Sequence, residues 1–360
     1  MNKKTVVVLF GGQSSEHEVS RMSATTILSH MDSEKYYIIP VGITKAGQWM
    51  IYNGPVENIK TGEWEKFGTQ AILSPDATQG GLLKLVGGKG KEIPVDVVFP
   101  VLHGLYGEDG TVQGLLELAK VPYVGCGVLA SAVSMDKVYT KIIAKQARIP
   151  QTESVVVYQE DLGKKSVFTK VERKLGYPVF IKPSNAGSSV GVSRATNRQE
   201  LEEGLKLAAA HDRKILVEKE VVGQEVECAV LGNGSKAKAS SVGEILSAGQ
   251  FYDYHSKYED EESRTIIPAR LSEETIEEIR RLAVKVFAAM DGSGLARVDF
   301  FVEKDTNRVI FNELNTMPGF TSISMYPKLW EAAGIGLEEL IDQLITLGLE
   351  KGERMGRIHG

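Results

Sequence analysis

The chain has 360 residues, a formal net charge of −5 and a pI near 5.8. This length predicts two or three domains with ample core. The mild acidity excludes a general nucleic-acid binder, which would carry a basic stripe. Cys126 and Cys228 form no CxxC pair, so a reduced, cytoplasmic protein is predicted. The apolar run at residues 6–10 is too short for a signal peptide, and no run approaches the ~20 apolar residues of a membrane span.

The first unit of the chain predicts an open α/β sheet. Residues 5–10 form a buried strand that ends in a Gly-Gly turn, and a helix follows to about His30. Ligands bind at the carboxyl ends of strands in such sheets, although the glycines do not follow the GxGxxG spacing of dinucleotide sites. Glu16 at the helix start has two interpretations: a first-turn acid favoured by the helix dipole, or a carboxylate that holds a substrate ammonium.

The remainder of the first domain, predicted as residues 1–125, alternates strands and loops. Further strands are predicted at 37–44 and 95–101, and a helix at 111–120. The intervening HGLYGEDG segment is too glycine-rich and polar for a core, and residues 53–92 are interpreted as a polar surface excursion.

The second domain is predicted to span residues 126–217 and to contain a phosphate-binding loop. A strand ends at Lys182 and leads into the small-residue loop 184–192, which contains Ser188 and Ser189. Its backbone N–H groups and hydroxyls suit phosphate oxygens, although the chain has no Walker A motif. Lys137, on a helix that can face the same cleft, and Lys182 are predicted phosphate ligands. The alternative is that each lysine is a solvated surface charge.

A third domain, residues 218–360, begins with acidic residues that suit a nucleotide. Glu218 and Lys219 end one strand, and Glu225 opens the next. The two glutamates are candidates for hydrogen bonds to an adenine amino group and a ribose.

A hairpin near the end of the chain carries the strongest metal-binding pattern. Strands are predicted at 297–303 and 308–315, with Asp299 on the first and Glu313 and Asn315 on the second. Glu313 and Asn315 are two residues apart and therefore share a face of the strand. Converging oxygen donors suit Mg²⁺. The alternative to a metal site is a solvent-exposed hairpin with scattered carboxylates.

An anion-binding group accompanies these acids. Arg297 lies beside them, and the Pro318-Gly319 turn closes the stretch. An anion site next to a metal site is what phosphoryl chemistry requires, so this second feature favours the functional interpretation.

Seven segments of the chain together resemble one protein family. They are GGQSSEHEVS, HGLYGEDG, MDK, IKPSNAGSSVGV, FYDYHSKY, GLARVDFF and NELNTMPGFTSIS, in that order. The chain resembles the D-alanine:D-alanine ligases of the ATP-grasp superfamily over about residues 5–345. The resemblance implies an α/β protein in which an open parallel-sheet domain precedes two domains whose antiparallel sheets clasp ATP. It also implies a cytoplasmic homodimer that makes a peptidoglycan precursor, without a nucleic-acid or membrane partner.

The resemblance also implies roles for individual residues. ATP would be held by Lys137, Lys182, Ser189, Glu218, Lys219 and Glu225, and two Mg²⁺ ions by Asp299, Glu313 and Asn315. The first D-alanine would be bound by Glu16, linked through Ser188 to Tyr258, with His103 nearby. Arg297 and the Gly319 N–H would stabilise an oxyanion, Ser324 would bind the second D-alanine, and Lys257 would reach the transferred phosphate. The resemblance also allows Mn²⁺ in place of Mg²⁺ and an additional K⁺ ion.

Other interpretations remain beside this one. One alternative is another ATP-grasp ligase, such as a D-alanine:D-lactate or D-alanine:D-serine enzyme. Members that join D-alanine to D-lactate carry Phe after the lysine of the same loop, so the Lys257-Tyr258 pair predicts a peptide rather than an ester product. A non-catalytic nucleotide-binding protein is disfavoured because the acids, lysines and arginine are all present. Glu220 departs from members that place an aromatic residue against adenine. Residues 249–264 are predicted to form a loop that closes the site.

Overall fold

Three β-sheets organise the chain in the computed structural model, which describes residues 3–187, 189–246, 264–354 and 356. The first is a seven-stranded sheet in the order β6-β5-β4-β3-β2-β1-β7. Its strands are β1 (Lys4–Gly11), β2 (Tyr36–Ile43), β3 (Trp49–Ile51), β4 (Thr69–Leu73), β5 (Gly81–Val86), β6 (Lys89–Pro94) and β7 (Val97–Pro100). Only β1, β2 and β7 pair in parallel. Residues 6–10 of β1 are buried, as a continuous apolar run in a parallel sheet requires.

The predicted surface excursion at residues 53–92 is wrong in part. Strands β4, β5 and β6 of this segment extend the sheet, and Ile59 and Trp64 are fully buried beneath it. Burial alternates along β4, where Ala71 and Leu73 are buried while Gln70 and Ile72 are exposed, as expected for a sheet that buries one face. Most residues of β6 are exposed, so the segment is polar in sequence although it is ordered.

The second and third sheets are antiparallel and face the cleft described below. The four-stranded sheet has the order β10-β9-β11-β8 and the five-stranded sheet the order β14-β13-β12-β15-β16. Their strands are β8 (Ser154–Tyr158), β9 (Val179–Pro183), β10 (Ser193–Ala195), β11 (Lys214–Lys219), β12 (Gly223–Asn233), β13 (Lys238–Leu246), β14 (Arg264–Ile266), β15 (Ser293–Glu303) and β16 (Val309–Asn315).

Helices cover the sheets, and some of them begin at a side-chain cap. Ser272 caps its helix by accepting a 3.2 Å hydrogen bond from the Thr275 N–H. The α-helices of the described residues are α1 (His17–His30), α2 (Glu57–Thr61), α3 (Thr111–Leu118), α4 (Val128–Met135), α5 (Lys137–Gln146), α6 (Lys165–Lys174), α7 (Arg198–Ala209), α8 (Glu273–Ala289), α9 (Met325–Ala332) and α10 (Leu337–Arg354). Short 3₁₀ helices lie at Glu63–Lys66, Gln159–Asp161 and Gly234–Lys236. No helix of these described residues is long and apolar enough to cross a membrane.

The cores show which parts pack together. The first sheet and helices α9 and α10 share one core, in which the Phe99 and Phe320 rings lie 6.2 Å apart. The four-stranded sheet has a separate core with α6 and α7. Helices α4 and α5 pack on the core of the five-stranded sheet, although both precede the central sheet in sequence. The domain limits at 125 and 217 stay a prediction.

Candidate active site

A cleft of about 760 Å³ brings most of the predicted site residues together. It lies between the two antiparallel sheets and is closed at one end by loops of the first sheet. The predicted residues that line it are Glu16, His103, Lys137, Lys182, Ser189, Glu218, Lys219, Glu225, Arg297, Glu313, Asn315, Gly319 and Ser324. Asp299 lies behind this lining, buried beside Arg297. Ser188, Lys257 and Tyr258, together with nearly all of the predicted closing loop, lie outside the described residues.

Glu218 holds two lysines at the floor of the cleft. Its Oε2 lies 2.8 Å from Lys182 Nζ, and its Oε1 lies 2.6 Å from Lys141 Nζ and accepts a 2.7 Å hydrogen bond from Thr152. Burial alone would raise the pKa of Glu218, but the two ammonium charges outweigh it and hold the pKa well below its usual range. Burial disfavours charge on Lys182 as well, yet the Glu218 charge raises its pKa. Both groups are therefore charged at neutral pH.

Lys141 was missed by the sequence reasoning. It lies four residues after Lys137 on α5, and residues at this spacing lie on one face of a helix. That spacing was the only local sign in the sequence that Lys141 lies near the same cleft as Lys137. Its partner Glu218 is 77 residues further along the chain, and no local pattern pairs the two residues.

Lys137 is placed by a buried cap. Asp136 accepts hydrogen bonds from the N–H groups of Val138 and Tyr139, forms an ion pair with Lys214 and accepts a 2.6 Å bond from the Ser184 hydroxyl. These contacts join the start of α5 to the end of β9. Lys137 Nζ donates to Ala186 O at 2.7 Å and lies 3.9 Å from Glu313 Oε2. The lysine therefore bridges the small-residue loop and the acidic hairpin.

The acidic hairpin places the predicted metal ligands on paired strands. Asp299 is opposite Glu313 in the register of β15 and β16, and Arg297 is opposite Asn315. The register shifts after Asp299, and both Asn312 and Glu313 line the cleft. A bulge of this kind re-aims side chains beside a site. Without it, adjacent residues would face opposite sides of the sheet.

Arg297 lies between two acids. Its Nε and Nη2 donate to the two oxygens of Asp299 at 2.8 and 2.7 Å, and Nε lies 2.9 Å from Glu227 Oε2. Burial would lower the pKa of Arg297, but the charges of Asp299 and Glu227 raise it well above its usual value. Asn315 Nδ2 also donates to Asp299, at 3.0 Å.

The donors at this place have the chemistry that Mg²⁺ prefers. Two carboxylates and one amide oxygen on adjacent strands make a hard-oxygen set, and Mg²⁺ usually completes its octahedron with water and substrate phosphates. The described residues contain no cluster of three or more His, Cys, Asp or Glu side chains with metal-binding geometry. A site completed by protein acids alone is therefore not formed, whereas a site shared with phosphate oxygens fits the residues present.

Two glycines lie close to Glu16, which also lines the cleft. A Cβ atom at Gly104 would lie 2.7 Å from Glu16 Oε2, and one at Gly187 would lie 3.1 Å from the same atom. These close approaches need glycine. They bring the loop of the first sheet and the small-residue loop to one carboxylate.

Gly319 and Ser324 adjoin each other in the same cleft. A Cβ at Gly319 would lie 2.7 Å from Ser324 Oγ. The Ser324 hydroxyl oxygen accepts a 3.0 Å hydrogen bond from the Thr321 N–H. The serine is therefore held by the turn that contains Gly319.

Two antiparallel sheets that clasp a lysine- and acid-lined cleft, beside a sheet with parallel strands, define an ATP-grasp fold. Comparison with known proteins then identifies the family within this fold class. The family pattern described as D-ala D-ala ligase N-terminus matches residues 5–126, and the one described as D-ala D-ala ligase C-terminus matches residues 143–346. The chain belongs to the D-alanine–D-alanine ligase family.

Individual relatives agree with the family match. The D-alanine–D-alanine ligase of Acetivibrio thermocellus is 54% identical over 97% of both chains, and that of Clostridium acetobutylicum is 53% identical over 97% of this chain and 99% of its own. Among solved structures, the VanG D-Ala:D-Ser ligase of Enterococcus faecalis has a TM-score of 0.89 at 38% identity, covering 96% of this chain and all of its own. The D-alanine-D-alanine ligase of Coxiella burnetii has a TM-score of 0.87 at 35% identity, covering 99% and 97%. The predicted family, fold class and ligase activity are confirmed.

Proposed function

We propose that the cleft joins two molecules of D-alanine to D-alanyl-D-alanine, with conversion of ATP to ADP and phosphate, for the synthesis of a peptidoglycan precursor. One observation carries the proposal: the phosphate-binding lysines, the acidic hairpin, Arg297 and Glu16 line a single cleft between two antiparallel sheets. The near-full-length identity to ligases of this name supports the same activity.

The chemistry follows from the weakness of a carboxylate as an acylating agent. An oxygen of the first D-alanine carboxylate attacks the γ-phosphorus of ATP, and ADP leaves. The amine of the second D-alanine attacks the acyl phosphate, and phosphate leaves as the tetrahedral intermediate collapses. Negative charge develops first on the phosphoryl group and then on the carbonyl oxygen. A single donor to such an oxyanion is worth roughly 3–4 kcal/mol in other enzymes.

The nucleotide is assigned to the two antiparallel sheets. Lys137 and Lys182 hold phosphate oxygens together with Ser189 of the small-residue loop. Lys219 and Glu225 hold the adenosine portion. Glu218 contributes beside the adenine and also keeps Lys182 charged, because its carboxylate lies against that ammonium.

The amino acids are assigned to the other end of the cleft. Glu16 holds the ammonium of the first D-alanine, in a network with Ser188 and Tyr258. Arg297 and the Gly319 N–H stabilise the oxyanion, and Ser324 binds the carboxylate of the second D-alanine. Lys257 reaches the transferred phosphate.

The enzyme uses a divalent metal ion with ATP, as its family implies. Asp299, Glu313 and Asn315 would hold two Mg²⁺ ions, which Mn²⁺ can replace, and a K⁺ ion can accompany them. When bound, the divalent ions neutralise negative charge on the phosphates. Arg297 donates to both oxygens of Asp299, and each of these oxygens has a second lone pair that could bind a metal ion.

We further propose that the enzyme acts as a homodimer in the cytoplasm. The support is the family resemblance and the two buried free thiols, which suit a reducing compartment. Analytical ultracentrifugation over a range of concentrations tests the dimer, and a single monomeric species throughout would contradict it.

The deciding experiment is phosphate release with ATP and a panel of second substrates. D-alanine, D-serine and D-lactate are supplied with D-alanine, and the product masses are measured. D-serine belongs in the panel because the VanG D-Ala:D-Ser ligase is structurally similar to this chain. We expect D-alanyl-D-alanine as the main product. A main product containing D-serine or D-lactate would overturn the choice of second substrate, and the absence of D-alanine-dependent ATP consumption would overturn the activity.

A further inference from the structure

The turn that carries Gly319 is bound by side chains from a distant part of the chain. Met317 N donates to Glu108 Oε1 at 3.2 Å, and Met317 O lies 3.0 Å from His103 Nδ1. Glu108 is itself fixed, because its other oxygen accepts a 2.7 Å bond from the Gly104 N–H. The loop of the first sheet therefore binds both the backbone N–H and the backbone C=O of Met317. Both partners, Glu108 and His103, lie more than 200 residues from Met317 in sequence.

A second anchor lies on the other side of Gly319. Phe320 N donates to Ser23 Oγ at 3.1 Å, and Ser23 Oγ lies 3.0 Å from His103 Nε2. Since the serine oxygen accepts from the backbone, its one hydrogen is available for His103 Nε2. The imidazole then carries its proton on Nδ1 and donates it to Met317 O. Burial lowers the pKa of His103, which favours this neutral form although the Glu16 charge opposes the shift.

Gly319 thus lies between two fixed residues. Pro318 has no N–H to donate. The two anchored residues, Met317 and Phe320, flank the Pro318-Gly319 pair. The Phe320 side chain is completely buried and Met317 is nearly so. The backbone that presents the Gly319 N–H has little freedom to adjust when a substrate arrives.

We propose that Ser23, His103 and Glu108 are positioning residues that dock the turn at 317–320 on the first sheet and so aim the Gly319 N–H at the reacting carbonyl. This inference rests on the proposed function, in which Gly319 is an oxyanion donor. Donors fixed before the reaction are effective because they need no reorganisation in the transition state. Through this contact, the N-terminal sheet contributes to the chemical step as well as to substrate binding.

These contacts also define the role of His103. Both ring nitrogens are bonded to protein groups, one to Ser23 and one to Met317. A neutral imidazole has one donor and one acceptor, and both are used here. We therefore assign His103 to the docking of the turn rather than to a hydrogen bond with the first D-alanine.

The test compares two serines on helix α1. Ser23→Ala removes the acceptor of Phe320 N and the partner of His103. Ser20→Ala is the matched control, because Ser20 is equally buried and also has two hydrogen bonds, from Gly11 N at 2.8 Å and to Val101 O at 2.5 Å. Both variants should lose a similar amount of thermal stability, since each loses two buried hydrogen bonds.

The two variants should differ in catalysis. Loss of an oxyanion donor lowers kcat by about 10²–10³, so we expect the displaced donor in Ser23→Ala to lower kcat by about 10-fold or more. The KM for ATP should change by less than about twofold, because the missing interaction acts in the transition state of amide formation. Ser20→Ala should keep kcat within about threefold of the wild type.

A purely structural role for Ser23 would give the same kcat in both variants, and that result overturns the inference. If Ser23→Ala does not fold, Glu108→Gln assayed at pH 9 decides. Burial raises the pKa of Glu108 to about 8, so at pH 9 the wild-type carboxylate accepts from both backbone N–H groups, whereas a glutamine of the same shape accepts only one. This variant too should lower kcat by about 10-fold with little change in the KM for ATP, and an unchanged kcat overturns the inference. A wild type that consumes no ATP with D-alanine contradicts the proposed function instead.

Discussion

Arg297 is the residue whose surroundings say most about the cleft. It is a buried cation with two acidic partners, Asp299 on its own strand and Glu227 on the neighbouring strand. If Asp299 turns toward a metal ion, Glu227 remains to balance the guanidinium. Burial of an unpaired charge is costly. Because Glu227 stays paired with Arg297, Asp299 can turn toward a metal ion without leaving the buried guanidinium unpaired.

Replacement of Glu227 by Gln should destabilise the protein by at most about 3 kcal/mol, the lower end of the range for breaking a buried pair, because Asp299 stays. Urea unfolding measures the change. The matched control is Glu220→Gln, whose partner Arg194 is more exposed, and this variant should lose about 1 kcal/mol or less. Equal losses in the two variants would show that Glu227 is not needed to balance Arg297.

Replacement of Glu313 by Gln should abolish turnover and leave folding nearly intact, because the change removes a charged metal ligand that lines the cleft. Phosphate release at saturating Mg²⁺ gives the activity, and calorimetric titration of Mg²⁺ with ATP gives the binding. The control is Glu303→Gln at the other end of the same hairpin, where the side chain contacts Thr306. Near-normal turnover of Glu313→Gln at high Mg²⁺ would contradict the metal assignment.

At the scale of elements, helix α10 near the end of the chain packs against the first sheet. It runs from Leu337 to Arg354 and shares its core with that sheet. In its last turns, Lys351 Nζ donates to Gly125 O at 2.6 Å and lies 3.6 Å from the centre of the Tyr123 ring. Burial lowers the pKa of Lys351 to about 8, although the nearby Cys126 thiol favours the charged form.

This shift predicts a pH dependence of stability. The folded protein releases the Lys351 proton at about pH 8, whereas the usual value is 10.5. Between these values the unfolded chain binds more protons, so the free energy of unfolding gains a contribution that increases with pH. The full gain is on the order of 3 kcal/mol. Lys351→Met should lack it.

Urea unfolding of both proteins at pH 7 and pH 10 provides the measurement. The wild type should gain stability relative to Lys351→Met as the pH rises. The comparison removes the contributions of groups common to both proteins. A difference that stays constant across the two pH values would show that the amine titrates normally.

At the scale of the whole molecule, the four-stranded sheet stands apart from the rest. Its core, which includes Val157, Ile181 and Val217, is separate from the cores of the two larger sheets. The first and third sheets, in contrast, share Phe99, Phe320 and their neighbours. Separate cores can open independently, so the cleft lies between a part that can move and a joined remainder.

Hydrogen exchange should reveal this division. In the free protein, amides of β8, β9 and β11 should exchange at a lower opening free energy than those of β1, β12 and β15. Addition of ATP and a phosphinate dipeptide mimic should protect the four-stranded sheet most, because the bound molecules span both sides of the cleft. The mimic resembles the tetrahedral intermediate and should bind tightly only with ATP. Equal protection of all three sheets, in both the free and the bound protein, would contradict the independent opening of the four-stranded sheet.

The sequence by itself determined the elements whose signals are local. The buried strand at residues 6–10 and the paired strands around Asp299 and Glu313 follow from side-chain periodicity, which a short window contains. Seven motifs in order were sufficient to predict the family and the ligase activity. Strands β4 to β6 were missed, because exposed positions interrupt their buried ones and leave no continuous apolar run.

Tertiary structure alone decided which charges and backbone groups meet. Glu218 lies between Lys141 and Lys182, Arg297 has Glu227 as a second acid, and Ser23 accepts from Phe320 N at a separation of 297 residues. These pairs depend on how three sheets and their helices pack, and the free energy of that packing comes from the apolar cores rather than from the polar residues themselves. No periodicity or motif spacing encodes such a distance, so the network that positions the site became visible only in the fold.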